Sequence, residues 1–480
     1  MSRLCIFFLI LSSSAFGQTI SFGVSGLAGV SLNNPTSLQF GPDDRLYVAE
    51  QDGTLWVYTI QRQAANQYVV QQTEIIDLVK KHVPNHDDDG TPNATQQRQV
   101  TGILVVGTPT NPVIYVSSSD WRISVGLDSG LDTNSGVISR ISWVGNGLND
   151  PNGFWDKVDL VRGLPRSEEN HASNGMQLDP STNTLYLIQG GHTNKGAPGN
   201  SFSQTPEYAL SAALLAIDLN AIEAMPVQGT GQSKYVYDLP TLDDPTRGQP
   251  GQPDPGDPFG GNDGRNQARI VPGGPVQVYA PGFRNAYDVV LTSNGRLYTF
   301  DNGPNETWGG IPINCTNQSN ENGSTGYGDQ LHYITGPGYY GGHPNPTRGD
   351  PQNSGLYIYE QNNNGWTLTQ TYNWATDFPD PPVPFSMANP VECNYLIPGT
   401  QDGALAIVNA STNGIDEYTA SNFNGALQGQ LIAASFNGNI YAFKLNAAGD
   451  QVVQQQVLFS GFGSQPLDVT TQGEQDIFPG

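Results

Sequence analysis

Apolar and polar residues alternate in short runs along this chain, and the runs come in pairs separated by turn residues. The first pair is Ser37-Leu38-Gln39-Phe40 and Arg45-Leu46-Tyr47-Val48, joined by Gly41-Pro42-Asp43-Asp44. Period-two alternation bounded by Gly, Pro, Asp and Asn predicts antiparallel hairpins. A third strand, Thr54-Leu55-Trp56-Val57-Tyr58, follows the turn at Asp52-Gly53. The pattern returns at 102–106, 113–116 and 136–143, and again at 176–188 with 213–219. Further copies lie at 288–291, 296–300 and 330–334, then at 393–398, 404–409, 430–434 and 440–445. A sixth begins at Pro466-Leu467-Asp468-Val469, and no second apolar strand follows it before Gly480.

Hairpins repeated this often predict an all-β fold, a six-bladed β-propeller of four-stranded antiparallel blades with an incomplete last blade. A β-sandwich is the runner-up, and it does not explain equivalent hairpins recurring around the chain. The N-terminal strand near 20–24 is expected to add to the last blade and close the ring. The incomplete blade leads us to expect further domains beyond residue 480.

Composition adds the compartment. Met1-Ser2-Arg3, an apolar run over 4–11 and small residues at Ala15 and Gly17 describe a signal peptide at 1–17, leaving 18–480 as the propeller. The apolar run is too short to span a bilayer, and no later segment is long enough, so a secreted or periplasmic protein is expected. The net charge of −24 excludes a nucleic-acid partner, whose phosphates need a basic surface, and favours calcium, which prefers oxygen ligands. With the signal removed, only Cys315 and Cys393 remain, and an oxidising compartment predicts a disulfide between them.

Two polar insertions, 239–274 and 307–327, read as long surface loops walling a cleft. Asn93, Asn305, Asn314, Asn317, Asn322 and Asn409 each head an Asn-x-Ser/Thr sequon. Asn85-His86-Asp87-Asp88-Asp89-Gly90 resembles the start of a calcium loop, but Gln96 stands where a closing Glu belongs, so a solvated acidic loop is expected. No nucleophile elbow, phosphate loop or His-Glu-x-x-His is present.

The candidate chemistry sits at strand starts, which converge on the channel of a ring. His171 precedes the hairpin at 176–188, and an imidazole there can accept a proton at neutral pH. The alternative is a solvated or capping loop histidine. Gly282-Phe283-Arg284-Asn285 leads into the next hairpin the same way, and Arg284 offers a fork suited to a carboxylate or a structural bond to blade carbonyls. Asp301-Asn302-Gly303-Pro304-Asn305 ends that hairpin with carbonyls that suit calcium or simply make a turn.

In order and context, Asn170-His171, Gly282-Phe283-Arg284-Asn285 and Asp301-Asn302-Gly303-Pro304-Asn305 resemble the soluble glucose/sorbosone dehydrogenases, six-bladed propellers that use calcium and pyrroloquinoline quinone (PQQ). The likeness runs from about Pro35 to Asp468. It implies a sugar dehydrogenase with His171 as general base, Arg284 and Asn285 holding PQQ, and Gln97 contacting the sugar. Gly303 and Pro304 would bind calcium through carbonyls, and Asp329 of Gly328-Asp329-Gln330-Leu331 would bind structural calcium. Tyr339-Tyr340-Gly341-Gly342-His343-Pro344 resembles the turn that follows in the family. The chain departs from the pattern where the family places cations facing the quinone. The corresponding stretches read Ala434-Ser435-Phe436-Asn437-Gly438 and Gly463-Ser464-Gln465-Pro466-Leu467, with no cation, and Gln330 replaces an acid. Two functions follow: a PQQ- and calcium-dependent sugar oxidoreductase, or a cofactor-less propeller that binds glycans or a partner protein.

Overall fold

The computed structural model describes residues 20–472 except 21, 65, 89, 125, 243–266, 319–324, 379, 410 and 464. The signal peptide, the sequon at Asn322 and the stretch after 472 lie outside the described residues.

Five antiparallel blades follow one another around a ring, as the hairpin pattern predicts. Blade 1 comprises Pro35–Phe40, Leu46–Glu50, Leu55–Ala64 and Gln67–Ile76, with Leu27–Ala28 added in parallel at its rim. Blade 2 comprises Gln99–Thr108, Asn111–Ser119, Gly136–Val144 and Phe154–Leu164, with Lys234–Asp238 parallel to the last strand. Blades 3 and 4 begin at Ser173–Asp179 and Ala286–Leu291, and blade 5 at Thr412–Glu417. Among the described residues, the segment 466–472 lies at the sixth position. Its Asp468 Oδ2 accepts from Ser37 Oγ at 3.0 Å and Leu38 N at 2.8 Å in blade 1. On its other side, Thr471 N donates to Asp416 of blade 5 at 2.5 Å. Side-chain carboxylates thus join this segment to both neighbouring blades.

The apolar core lies in the wedges between blades. Tyr47, Leu55 and Val57 of blade 1 meet Val105, Ile114 and Val116 of blade 2, and comparable clusters fill the next wedges. Ile20 and Phe22 pack with Val469 against blade 5, but the expected strand near 20–24 is not formed: residues 22–26 are irregular, and the first strand, Leu27–Ala28, joins blade 1 instead.

Several expectations are corrected. The stretch 393–398 is not a strand. It follows a 3₁₀ turn at Pro390–Cys393, and Ala406–Val408 is the outer strand of blade 4. The innermost strand of blade 5 is the polar Thr412–Glu417. The insertion 239–274 does pack at its described ends, where Leu239, Ala268 and Ile270 join the core between blades 2 and 3. Asn317 cannot carry a sugar, because its side chain is buried and donates to Thr347 and the Gly355 carbonyl. The disulfide between Cys315 and Cys393 is present. In the acidic loop, Asp87 pairs with Arg122 at 2.7 Å.

Candidate functional site

The starts of the innermost strands line a central cavity of about 880 Å³. Its wall is built from amides and hydroxyls, among them Asn34, Gln51, Gln99, Asn174, Asn285 and Asn302, with Thr101 and Ser411. Phe436, Phe462 and Tyr287 supply aromatic surface, and the Tyr287 hydroxyl reaches across the channel to the Thr36 carbonyl at 2.8 Å. Among the described residues the wall carries no lysine, arginine or histidine, and its one carboxylate, Asp468, is engaged by blade 1.

Beside this wall lies a buried charged cluster. The loop 167–171 links blades 2 and 3 and is pinned by His171 N donating to Ser167 Oγ at 3.0 Å. His171 is 3% exposed, with Nδ1 2.8 Å from the Gly191 carbonyl. A carbonyl only accepts, so Nδ1 carries the proton and Nε2 keeps its lone pair. Burial, then the nearby Arg284 charge, hold this imidazole well below its ordinary range, so it is neutral at physiological pH. Nε2 lies 3.7 Å from Glu169, whose carboxyl burial pushes up to about 7.

Arg284 and Asn285 precede blade 4, and Asp301 at the end of the paired strand accepts both their backbone N–H groups, each at 2.8 Å. The Arg284 guanidinium donates through Nε to Asn194 at 3.1 Å and lies over the Phe202 ring, while its Nη2 has no partner. Gly190 and Gly191 allow this packing. A Cβ on Gly190 would lie 2.8 Å from both His171 Cβ and Asn285 Oδ1.

The structure thus brings His171, Arg284, Asn285 and Asp301 together, but only Asn285 reaches the cavity wall. The Phe202 ring packs edge-on against the imidazole with ring centres 5.0 Å apart, and neither residue lines the cavity. Gln97 is exposed and off the wall, and Gln99 lines it instead. Pro304 accepts Tyr327 N at 3.0 Å, and Asp329 accepts Gly303 N at 3.1 Å and Thr412 N at 2.6 Å, tying blade 4 to blade 5. Glu169, Asn194, Phe202 and Gln99 were not singled out from sequence. The adjacent Gly190-Gly191 pair after a strand was the one local signal that backbone approaches closely there.

The residues present do not fit PQQ or the calcium that accompanies it. Three carboxylates in the cavity would face amides and hydroxyls, with Arg284 behind the wall, and burying anions without cations is costly. For calcium, the Asp329 oxygens already hold two backbone N–H groups, and no three His, Cys, Asp or Glu side chains cluster among the described residues.

No family model matches the sequence, and no curated protein matches it. Among solved structures the chain is similar to a glucose dehydrogenase at 15% identity, covering 93% of this chain and 91% of that one with a TM-score of 0.45. It is also similar to the PQQ-bound aldose sugar dehydrogenase of Streptomyces coelicolor, at 15% identity, 93% and 87% coverage and a TM-score of 0.42. The PQQ domain of pyranose dehydrogenase from Coprinopsis cinerea gives 13% identity, 91% and 87% coverage and a TM-score of 0.46.

Proposed function

We propose that this propeller recognises a neutral carbohydrate in its central cavity, as a secreted protein of sugar-dehydrogenase architecture. The observation that carries this reading is the cavity wall: amides and hydroxyls with aromatic faces, and no charge left to answer an ion. Sugar hydroxyls need many donors and acceptors at once, and their C–H faces lie against aromatic rings, so this wall suits them. A trianionic cofactor has no such match.

A second reading, oxidation of an aldose or related sugar, is favoured by the His171–Arg284 cluster. Perturbed titratable groups and a buried arginine with an unmade N–H bond gather where active sites form. Here His171 Nε2 would take the hydroxyl proton as the hydride leaves to an added two-electron acceptor, once a sugar reaches it from the cavity. The proton is the chain's part of that reaction.

Titration calorimetry with neutral mono- and disaccharides tests the first reading. Binding that weakens about tenfold or more in Asn285→Ala and Gln99→Ala is expected. No heat with any neutral sugar at millimolar concentration would overturn it. A parallel titration with PQQ in calcium, followed by dye reduction, tests the second. Stoichiometric quinone binding with sugar-dependent turnover lost in His171→Gln would establish the oxidoreductase and replace the binding-only reading.

A further inference from the structure

Side chains stitch the innermost strands of neighbouring blades together, and the stitches differ around the ring. From blade 1 to blade 2, Ser37 Oγ accepts Ile103 N at 3.3 Å and Gln39 Oε1 accepts Val105 N at 2.7 Å. From blade 2 to blade 3, Thr101 Oγ1 donates to the Ser173 carbonyl at 2.7 Å. From blade 3 to blade 4, Asn174 Nδ2 donates to the Ala286 carbonyl at 2.9 Å. These side chains are all neutral. The other half of the ring uses aspartate. Asp288 Oδ2 of blade 4 accepts Ile415 N of blade 5 at 3.2 Å, and Asp416 Oδ2 of blade 5 accepts Thr471 N of the segment 466–472 at 2.5 Å. Asp468 Oδ2 of that segment accepts Leu38 N of blade 1 at 2.8 Å. In each case the other oxygen, Oδ1, accepts the N–H of the next residue along, Val289, Glu417 or Val469.

Three carboxylates in one repeated geometry therefore stand on three successive strands, close to one another. Asp288 and Asp468 both lie against the backbone of Gly414-Ile415: Asp288 holds Ile415 N, and a Cβ on Gly414 would lie 2.7 Å from Asp468 Oδ1. Among the described residues no Lys, Arg or His bonds to any of the three. The other titratable groups on these strands are Tyr287, whose hydroxyl donates to the Thr36 carbonyl, and Glu417, which accepts from Ser293. Pro35–Phe40 of blade 1 and Leu431–Ser435 of blade 5 bring none. Ser173–Asp179 of blade 3 brings only Asp179, held by Ser181 and Thr182, and Asp329 engages Thr412 at the start of the blade 5 strand. Like charges without a counterion favour the protonated form. Burial, then the Asp468 charge, hold Asp288 well above the ordinary carboxylate range, and Asp416 and Asp468 are each raised to about 6, chiefly by burial. The stability these groups give is complete below the unfolded value of 3.8 and is lost as pH rises through about 6.

We propose that Asp288, Asp416 and Asp468 form a proton-operated latch on the segment 466–472: protonated, they hold it between blades 5 and 1, and ionised, they repel one another and loosen it. The neutral stitches elsewhere in the ring show that the bonds themselves need no ionisable group. What the carboxylates add is a charge that can be switched on. Asp468 lines the central cavity, so its proton leaves to water there. Pro466 and Leu467 line the same wall, so loosening the segment opens one side of the cavity. The latch acts on the segment itself and does not depend on what the cavity binds.

The test is hydrogen exchange of the full-length protein at pH 5 and pH 8 without ligand, read by mass spectrometry and corrected for the intrinsic pH dependence of amide exchange. Protection of the peptide covering 466–472 should fall about tenfold or more from pH 5 to pH 8 relative to the blade 3 strand Thr184–Gln189. Asp468→Asn and Asp288→Asn keep an oxygen for the same N–H group, and each should remove most of that fall. A merely structural role would instead lower protection in these variants equally at both pH values. Protection of 466–472 that is the same at pH 5 and pH 8, or that falls in step with the blade 3 strand, overturns the latch. So does a fall of wild-type size in both variants when folded. Should the variants fail to fold, the wild-type comparison of the two peptides decides.

Discussion

Asp301 shows how one carboxylate sets the geometry of the candidate site. Its two oxygens hold the backbone N–H groups of Arg284 and Asn285, so it fixes both the guanidinium and the amide on the cavity wall. Asp301→Ala leaves two buried donors without acceptors at about 1–3 kcal/mol each, and urea unfolding should show a loss of about 2–6 kcal/mol. Sugar binding should weaken with it as Asn285 loses its support. Asp301→Asn keeps one acceptor and should fall between. The sequence made the start of this cluster legible because short motifs at strand starts, Asn170-His171 and Arg284-Asn285, mark one end of the ring. What it could not show is which side of a wall each residue faces. Gln97 and Gln99 are two residues apart, and only the register of Gln99–Thr108 decides that the second lines the cavity. Phe202 against His171 depends on a loop contact 31 residues away in sequence (202 − 171).

Elements meet most closely at the glycines of the innermost strands. A Cβ on Gly102 would lie 2.4 Å from the Asn174 carbonyl oxygen, and one on Gly414 would lie 2.5 Å from Asp468 Cα. These neighbours are backbone, so they cannot turn aside. Gly414→Ala should therefore push the closing segment 466–472 away from blade 5 at a cost of about 1–3 kcal/mol. Limited proteolysis should then cut near that segment sooner than in wild type, while Gly26→Ala, with nothing within 4 Å, should leave the digestion pattern unchanged. The same strands explain the misplaced fifth blade. Thr412–Glu417 contains one apolar residue, Ile415, yet it packs between two blades and is largely buried. Hydrophobic periodicity misses such a strand, although Asn413-Gly414-Ile415 repeats the Asn174-Gly175-Met176 of blade 3. The disulfide, legible from cysteine count alone, closes a separation of 78 residues. Replacing both cysteines by serine should lower stability by about 2–4 kcal/mol in denaturant titrations.

Across the whole molecule, buried ionisable groups pull stability in opposite directions with pH. Burial raises Glu168 to about 8, and Glu169 and Asp329 to about 7, from ordinary values of 4.5, 4.5 and 3.8. The folded chain thus holds protons that the unfolded chain has released. The stability from these three groups is complete below about pH 4 and is lost as pH rises through 7 to 8. Burial lowers His192 to about 4 and His332 to about 3, and drives His171 down as well. Their contribution is present above the unfolded histidine value of 6.5 and is lost as pH falls below it. Glu207 is lowered to about 2, chiefly by its hydrogen bond to His343 acting against burial, so its contribution is lost only in acid. Above pH 6.5 the lowered groups no longer titrate differently in the two states, and the raised carboxyls, these three and Asp288 among them, decide the slope. The melting temperature should therefore fall by a few degrees between pH 6.5 and 8.5. Glu168→Gln should flatten the upper part of that fall, because the amide cannot ionise and its oxygen can still accept from Ser129. A melting temperature that holds or rises from pH 6.5 to 8.5 would mean these carboxyls are ionised in the folded chain, each with a cation or water that the described contacts do not supply.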